Sequence, residues 1–488
     1  MVTALKVKCW PEQYRDHLRL LIIFVLYRLF QYSLILVGPN DQFDTSTIIF
    51  LRKVTNEDND SIAGFWNRNL WNKLLSWDSI FFIKGITTEL LEYPEFEFEL
   101  MFSRIWIQCV RFFLKVINIP LIKENFYQIL KFTILFENLL HFFSVIIIYH
   151  LTLSVYAEIT TTGKLITLYT QNVAILSSIL FIFTSGSGFF ISIYSEPFSF
   201  LLTFIGLWFR EICLVKNKRI YDKISLLLKG GIYHVIYLFG TTSMFTLATL
   251  NRSNCILLGL FYLYDLFCLS INLMSTRSSS LKVLKQIIIG PLLSGTIMLI
   301  VVVYYWYFVP FKTFCPTVGE WCKTPLITGI EYVKFITKQS FYSFVQNKYW
   351  NVGFLNYWTL SNIPNFLIAV PQFLILIKSV QYFQLKIRKN NQNGKHTIMP
   401  LIIITILFML VILSVAHVQI INRVSTFIPL HLWYISEVIL SHNLLSSNKI
   451  LEKSNNKFDF LLIKLYLGWL FFWIPIQTIL FGLFLPPA

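Results

Sequence analysis

The sequence predicts an all-α polytopic membrane protein with about eleven transmembrane helices and a large first extramembrane loop. Three observations carry that expectation. The 488-residue chain is 56% hydrophobic and 17% aromatic but only 14% charged, with a mean hydropathy of +0.63. A soluble domain carries about 25% charged residues, so this chain lacks the polar side chains to cover a water-facing surface. Apolar stretches of roughly 20 residues recur along it, and they do not alternate polar with apolar as barrel strands would. Finally, the positive charge falls in short clusters between these stretches.

In order, the expected spans are 18–37, 129–150, 172–193, 196–214, 225–243, 254–274, 286–309, 363–384, 398–420, 425–446 and 463–484. The basic clusters are Lys6, Lys8, Arg15 and Arg19; Lys216, Lys218, Arg219 and Lys223; Arg277, Lys282 and Lys285; Lys386, Arg388, Lys389 and Lys395; and Lys449, Lys453, Lys457 and Lys464. With the N-terminus inside, eleven spans place every cluster on the cytosolic side, as positive-inside bias requires. The same parity sends loops 38–128, 244–253 and 310–362, and the C-terminus, to the lumenal side. The net charge of +16 is thereby explained without nucleic acid, for which neither a basic domain nor an aromatic RNA motif is present.

Val37-Gly38-Pro39 shows no small-residue cleavage site, so the first span is expected to remain as an anchor. The chain closes on Leu485-Pro486-Pro487-Ala488, which is no retention tetrapeptide. No inverted repeat of the transporter kind is visible, and no linker divides the chain, so residues 1–488 are read as one domain.

The loop 38–128 is long for a polytopic protein and calls for a function. It carries Trp77-Asp78, in S-W-D-S-I-F-F-I-K-G-I. Asp78 has two readings: N-cap of a short loop helix, or general base in a dry cleft. Glu92, Glu95, Glu97 and Glu99 interleave with aromatics and are expected to form a solvated face. Met101 to Ile119 is amphipathic, with Arg104, Arg111 and Lys115 among large apolar residues, and is expected to lie in the membrane interface rather than cross it.

Seven cysteines are too few for a disulfide framework. Cys315 and Cys322, however, bracket a Pro- and Gly-containing turn in an oxidising compartment, where a small-loop disulfide is expected. No metal site is expected there, because no His lies near. Asn59-Asp60-Ser61 is a candidate glycan acceptor; Asn251-Arg252-Ser253 matches the pattern but lies too close to the membrane.

Polar residues inside or at the rim of spans are expensive in lipid and face a cavity or one another. Glu137 and His141 stand four apart and are expected to satisfy each other. In Tyr194-Ser195-Glu196-Pro197, Ser195 is placed to cap the next helix with Pro197 in its first turn. Asn251-Arg252-Ser253-Asn254, then His417, Gln419, Asn422 and Arg423, then His431 with Trp433, crowd other span ends. Most share the lumenal rim with Asp78, which suggests a site facing the lumen. Arg252 and Arg423 are available there for a lipid-linked phosphate.

These motifs carry a resemblance. The chain resembles the GPI mannosyltransferase 2 family in W-D at Trp77-Asp78, Y-S-E at Tyr194 to Glu196 and L-A-T-L-N-R-S-N from Leu247 to Asn254. It is similar also in K-T-F-C…W-C from Lys312 to Cys322, in Y-W-N-V-G-F-L-N-Y-W…P-N-F-L from Tyr349 to Leu367, and in the tail F-L-P-P-A. The likeness covers almost the whole chain. One departure concerns a Glu-His pair and a Phe-Phe-Pro of many members, where this chain reads Glu97-Phe98 and Phe102-Ser103-Arg104; a general role for that His or Pro is thereby in doubt.

The resemblance implies a GT-C glycosyltransferase fold in the endoplasmic reticulum membrane. It implies dolichyl-phosphate mannose as donor, a mannosyl-glucosaminyl-acylphosphatidylinositol GPI precursor as acceptor, and a new α-1,6 bond. It further implies a small membrane-protein subunit for some members. No cofactor is expected beyond the lipid-linked donor, and the residues do not decide a metal requirement. Conversion of a β-linked donor to an α-linked product inverts the anomeric centre, which needs one base. Asp78 is that base in this reading, with Trp77, Glu196, Arg252, Arg423 and His417 contacting substrate. A lipid flippase or transporter, or a non-catalytic subunit of a glycolipid assembly complex, would share the polytopic basic pattern without needing the W-D loop.

Overall fold

The computed structural model describes residues 10–55, 64–87, 94, 96–156, 164–215, 226–275, 280–315, 320–323, 340–389, 395–447 and 455–486. Among the described residues the structure is helical, with one isolated antiparallel bridge between Leu214 and Leu228. In order, α1 spans Trp10–Val37, α2 Ser46–Thr55, α3 Ser79–Thr87, α4 Arg104–Val116, α5 Phe126–Tyr156, α6 Lys164–Ile182 and α7 Glu196–Cys213. A helical run with an internal π-turn follows as α8, 232–251. Then come α9 (Ser253–Met274) and α10 (Leu281–Phe314), α11 (Phe341–Trp350), α12 (Ile363–Lys389) and α13 (Lys395–Ser414). The chain closes with α14 (Val418–Phe427), α15 (Leu430–Ser447) and α16 (Asn455–Gly482).

Each of the eleven expected spans overlaps a helix, but not all are long and apolar enough to cross a membrane alone. Among the described residues seven meet that standard, and eight if α14 and α15, bent by 79°, count as one broken span. The other three depart for identifiable reasons. Glu196, Arg210 and Glu211 make α7 polar at both ends. Expected span 225–243 is shifted to 232–251 and carries Thr241, Thr242 and Ser243 mid-helix. Expected span 172–193 ends as helix at Ile182, and residues 184–195 continue as buried turns.

That turn segment would be ruinous in lipid, where every backbone group needs a partner. Here the surrounding helices supply them. Gln31 of α1 donates to the Ser187 carbonyl (3.1 Å), and Tyr27 bonds the Ser187 hydroxyl. Gln477 of α16 accepts from Gly188 N–H (3.0 Å), and Trp473 donates to the Ser185 carbonyl (3.1 Å). Glu137 of α5 accepts the Tyr194 N–H at 2.7 Å. The expected Glu137–His141 pair is therefore not formed: the His141 ring contacts Arg28 at 2.5 Å instead. Helical spacing put the two side chains on one face, but the turn and α1 offered each a better partner.

The amphipathic segment forms a helix, α4. Ser103 accepts from Trp106 N–H at its start, and Trp106, Ile107, Val110 and Leu114 bury one face. Arg111 caps the end of α3 by donating to the Gly85 and Ile86 carbonyls (2.8 and 3.1 Å). The acidic stretch differs from expectation. Glu97 is buried, accepting the Trp321 N–H at 3.1 Å, and buried Glu99 pairs with Lys84 at 2.6 Å. Both are structural struts rather than a solvated face, because the loop folds onto segment 320–323. Glu92 and Glu95 lie outside the described residues, as does the candidate glycan acceptor Asn59.

Cys315 and Cys322 are disulfide-bonded. The bridge adjoins a small core of Leu100, Phe314, Trp321, Phe341 and Val345. Loops 38–128, 244–253 and 310–362 thus meet at one end of the bundle. Glu97 binds Trp321, and Ser253 donates to Tyr342 at 2.8 Å.

Candidate active site

The W-D segment is held on four sides. Lys73 donates to the Ile35 and Gly38 carbonyls (3.0 and 2.8 Å), capping the end of α1; burial lowers its pKa. Thr47 donates to the Leu75 carbonyl at 2.5 Å, and Ser192 of the buried turn to that of Leu74. Gln42 ties Ser76 to the Gly482 carbonyl at the end of α16. Trp77 then takes a left-handed conformation, φ 58°. A bulky residue there costs on the order of 1–3 kcal/mol, and such strain persists only where the surroundings over-determine it. Phe484, also left-handed at φ 59°, supports the Trp77 ring at 5.2 Å.

This kink delivers Asp78 to the start of α3, where its carbonyl accepts from Phe81 and Phe82 N–H (3.1 and 3.2 Å). The residue does sit at the N-cap position. Its carboxylate, however, faces Arg423, with Oδ2 3.1 Å from Nη1. Arg423 Nε lies 2.9 Å from Glu196 Oε1, and Arg252 Nη2 lies 3.0 Å from that same oxygen. The result is a chain of alternating charge: Asp78, Arg423, Glu196, Arg252. The rings of Phe189 and Tyr194 lie under the Arg423 guanidinium, 5.0 and 5.3 Å from its carbon, within cation–π range.

Each member comes from a different element. Asp78 lies in the first loop, Glu196 in the first turn of α7, Arg252 between α8 and α9, and Arg423 on α14. Ser195 occupies the N-cap position of α7 without capping through its hydroxyl. Its carbonyl instead accepts from Asn251 at 2.7 Å. A small recess of about 10 Å³, room for roughly one water molecule, opens beside the chain, lined by Glu196, Ser199, Arg252, Asn254, Thr426 and Phe427 among others.

Not every expected site residue joins. His417 contacts the Trp350 carbonyl through Nε2 at 3.0 Å and stacks on Tyr357 at 4.5 Å. No ion pair or hydrogen bond links it to the charged chain among the described residues. Sequence reasoning missed Phe189, Tyr194 as an aromatic floor, and Gly186. A Cβ on Gly186 would lie 2.8 Å from Arg423 Cα. The only local signal was the S-G-S-G run at 185–188. No cluster of three or more metal-ligating side chains occurs among the described residues.

Fold and site together define a polytopic helical membrane protein with a chain of alternating charge at one end, built from residues remote in sequence. The chain belongs to the Mannosyltransferase (PIG-V) family, whose profile it matches over residues 17–488, and is by that membership a mannosyltransferase. It is 41% identical to GPI mannosyltransferase 2 of Saccharomyces cerevisiae, covering 96% of this chain and 99% of the relative. It is 40% identical to the Candida glabrata protein of that name (96% and 98%) and 36% identical to that of Kluyveromyces lactis (98% and 99%). Among solved structures, an Archaeoglobus fulgidus oligosaccharyltransferase aligns at a TM-score of 0.46 and 12% identity. That alignment covers 96% of this chain and 55% of the other.

Proposed function

We propose that the protein transfers the second mannose in GPI-anchor assembly, from dolichyl-phosphate mannose to a mannosyl-glucosaminyl-acylphosphatidylinositol. In this reading it forms an α-1,6 bond on a GT-C scaffold, on the lumenal side of the endoplasmic reticulum membrane. Its relatives carry the name GPI mannosyltransferase 2 at near-complete coverage of both chains. The single structural observation behind the mechanism is the Asp78–Arg423 contact on a strained, over-anchored turn.

The acceptor hydroxyl attacks the anomeric carbon from the face opposite the phosphate. Its proton passes to Asp78, and the carbon–oxygen bond to phosphate breaks with both electrons leaving on the phosphate. The dolichyl phosphate departs ionised and needs no acid; it needs positive charge in a water-poor site. Arg423 and Arg252 supply it. Arginine has five N–H donors, and Arg423 Nη2 has no hydrogen-bond or ion-pair partner among the described residues. Arg423 thus does two things: it holds the Asp78 carboxylate in place and presents its remaining donors to phosphate. Trp77 contributes by its backbone, which aims Asp78. His417, held on the Trp350 carbonyl and stacked on Tyr357, has no step in this scheme.

No cofactor enters this scheme. A small membrane subunit, implied by the family resemblance for some members, would dock outside the charged chain. The test is mannose transfer by purified protein in proteoliposomes with synthetic donor and acceptor. Appearance of a two-mannose lipid supports the reading. Transport of donor without transfer, or no transfer with a correctly folded protein, sinks it in favour of a flippase or an assembly subunit.

A further inference from the structure

The carbonyls that end α13 have no further turn to bond, and segment 353–362, between α11 and α12, supplies donors for them. Leu355 N–H bonds the Ser414 carbonyl at 2.6 Å, and the Trp358 indole donates to the Leu413 carbonyl at 2.8 Å. The segment also closes on itself. Asn362 donates to the Tyr357 carbonyl (2.9 Å) and Asn365 to the Tyr357 hydroxyl (2.7 Å), while the Thr359 and Ser361 hydroxyls bond each other at 2.9 Å. A loop in water does not need such closure, because water satisfies its backbone and the helix ends. Irregular backbone in a water-poor layer does need it.

The apolar side chains of the same segment are left uncovered. Phe354 is 75% exposed, Trp358 57% and Leu360 86%, with Leu355 and Ile363 half-exposed. Trp358 thus sends its one polar atom inward and leaves its ring outside, the reverse of what water favours. Leu355 is left-handed at φ 58°, an unfavourable conformation for a bulky residue, and burial within the chain does not offset that strain. No Asp, Glu, Lys or Arg falls between Lys348 and Lys378. From Leu360 the uncovered row continues through Ile363 and Leu367 to Leu374 at helical spacing, on a helix long and apolar enough to cross a membrane.

We infer that segment 353–362 is a membrane-interface element, seated in the leaflet at the Asp78–Arg423 end of the bundle. Phe354, Leu355, Trp358 and Leu360 enter the lipid at the boundary between headgroups and acyl chains. Lipid is the occupant because the exposed row runs unbroken onto a candidate span, with no charge to mark a water layer between them. The boundary suits the segment better than the hydrocarbon centre, since Asn356, Thr359 and Ser361 are also exposed, and Trp is enriched at that depth. Tyr357 stacks on His417, the residue before α14, so the leaflet sets the depth of the helix that carries Arg423. None of this depends on mannosyl transfer.

Nitroxide probes read the surroundings of the segment directly. Phe354→Cys and Leu360→Cys, each made in protein that also carries Cys9→Ser and Cys109→Ser, are spin-labelled and reconstituted into phosphatidylcholine vesicles. The free cysteines Cys213, Cys255 and Cys268 are buried and escape the label. Molecular oxygen, which partitions into lipid, is compared as relaxing agent with a neutral nickel chelate, which stays in water. Leu367→Cys serves as the span reference. Lys348→Cys serves as the water reference, since Lys348 forms a surface pair with Glu320. Oxygen collisions should exceed nickel collisions at 354 and 360, as at 367 and opposite to 348. Nickel dominance at either position would put the segment in water. Exclusion of both agents would mean that a second copy or another protein covers it, and either result overturns the inference.

Discussion

Gly186 lies directly against the backbone of Arg423. A Cβ built on it would stand 2.8 Å from the Arg423 Cα and 3.0 Å from the Asn422 carbonyl. The buried turn 184–195 and α14 are therefore pressed together with no side chain between them. The same turn places Phe189 and Tyr194 beneath the guanidinium. The position of Arg423, and through it that of Asp78, is set by an element that belongs to neither residue.

Gly186→Ala is accordingly expected to push Arg423 away from Asp78 and Glu196. Backbone cannot yield as a flexible side chain can, and overpacking of this kind costs about 1–3 kcal/mol. A misplacement near 1 Å commonly lowers a rate by roughly 10²-fold. Thermal unfolding and transfer should be measured beside Gly468→Ala, where nothing lies within 4 Å of the new methyl. Equal activity in the two variants would show that the close approach is not needed.

Asp78→Asn is expected to abolish transfer while the protein stays folded. The amide keeps the shape, and Asn caps helices as well as Asp, so a capping role survives. A base role does not, and its loss costs roughly 10²–10⁴-fold. Cells carrying only this form should accumulate the one-mannose precursor. Near-normal transfer at normal expression would make Asp78 a cap. The glutamates of the same loop cannot then inherit the role easily, since Glu97 and Glu99 are already held by Trp321 and Lys84.

Composition and charge sufficed for the helices, because lipid exposure imposes about 20 apolar residues per span. They could not reveal the break after Ile182. The run from Ser185 to Tyr194 mixes Ser and Gly with Phe189, Phe190, Ile191 and Ile193, and it is held as a turn by partners on α1, α5 and α16. Asp78, Glu196, Arg252 and Arg423 were legible as polar residues at one rim. Their order along an ion-pair chain was not, since it depends on contacts between residues up to 345 positions apart. Glu97, Glu99 and the Glu137–His141 spacing misled for the same reason: local pattern says which face a side chain occupies, not what meets it there.

Loss of the disulfide is expected to loosen the outer wall of the site rather than its chemistry. Closing a loop with a sequence separation of 7 contributes roughly 2–3 kcal/mol on the chain-entropy estimate. In Cys315→Ser, the Trp321 contact to Glu97 should weaken. Hydrogen exchange at residues 97–101 should rise more than at the W-D segment, which has its own anchors. Unchanged exchange at 97–101 would mean the small core around Trp321 holds without the bridge.

His417 gives a pH dependence with a definite sign. Burial lowers its pKa, and the hydrogen bond to the Trp350 carbonyl only partly opposes this. A carbonyl accepts, so Nε2 must carry the proton of the neutral ring, which stacks on Tyr357. When segment 350–357 opens, the ring regains the usual imidazole value near ~6.5. The open state then binds more protons than the closed one, so closure is fully favoured above that value and is lost as pH falls below it. Amides of Asn351 and Val352, bonded to Asn347 and Gln346, should therefore exchange faster at pH 5 than at pH 7.5 after correction for intrinsic rates. In His417→Gln, whose amide can still donate to the Trp350 carbonyl but does not titrate, that acid-dependent gain should vanish. An equal gain in both proteins would place the titrating group elsewhere.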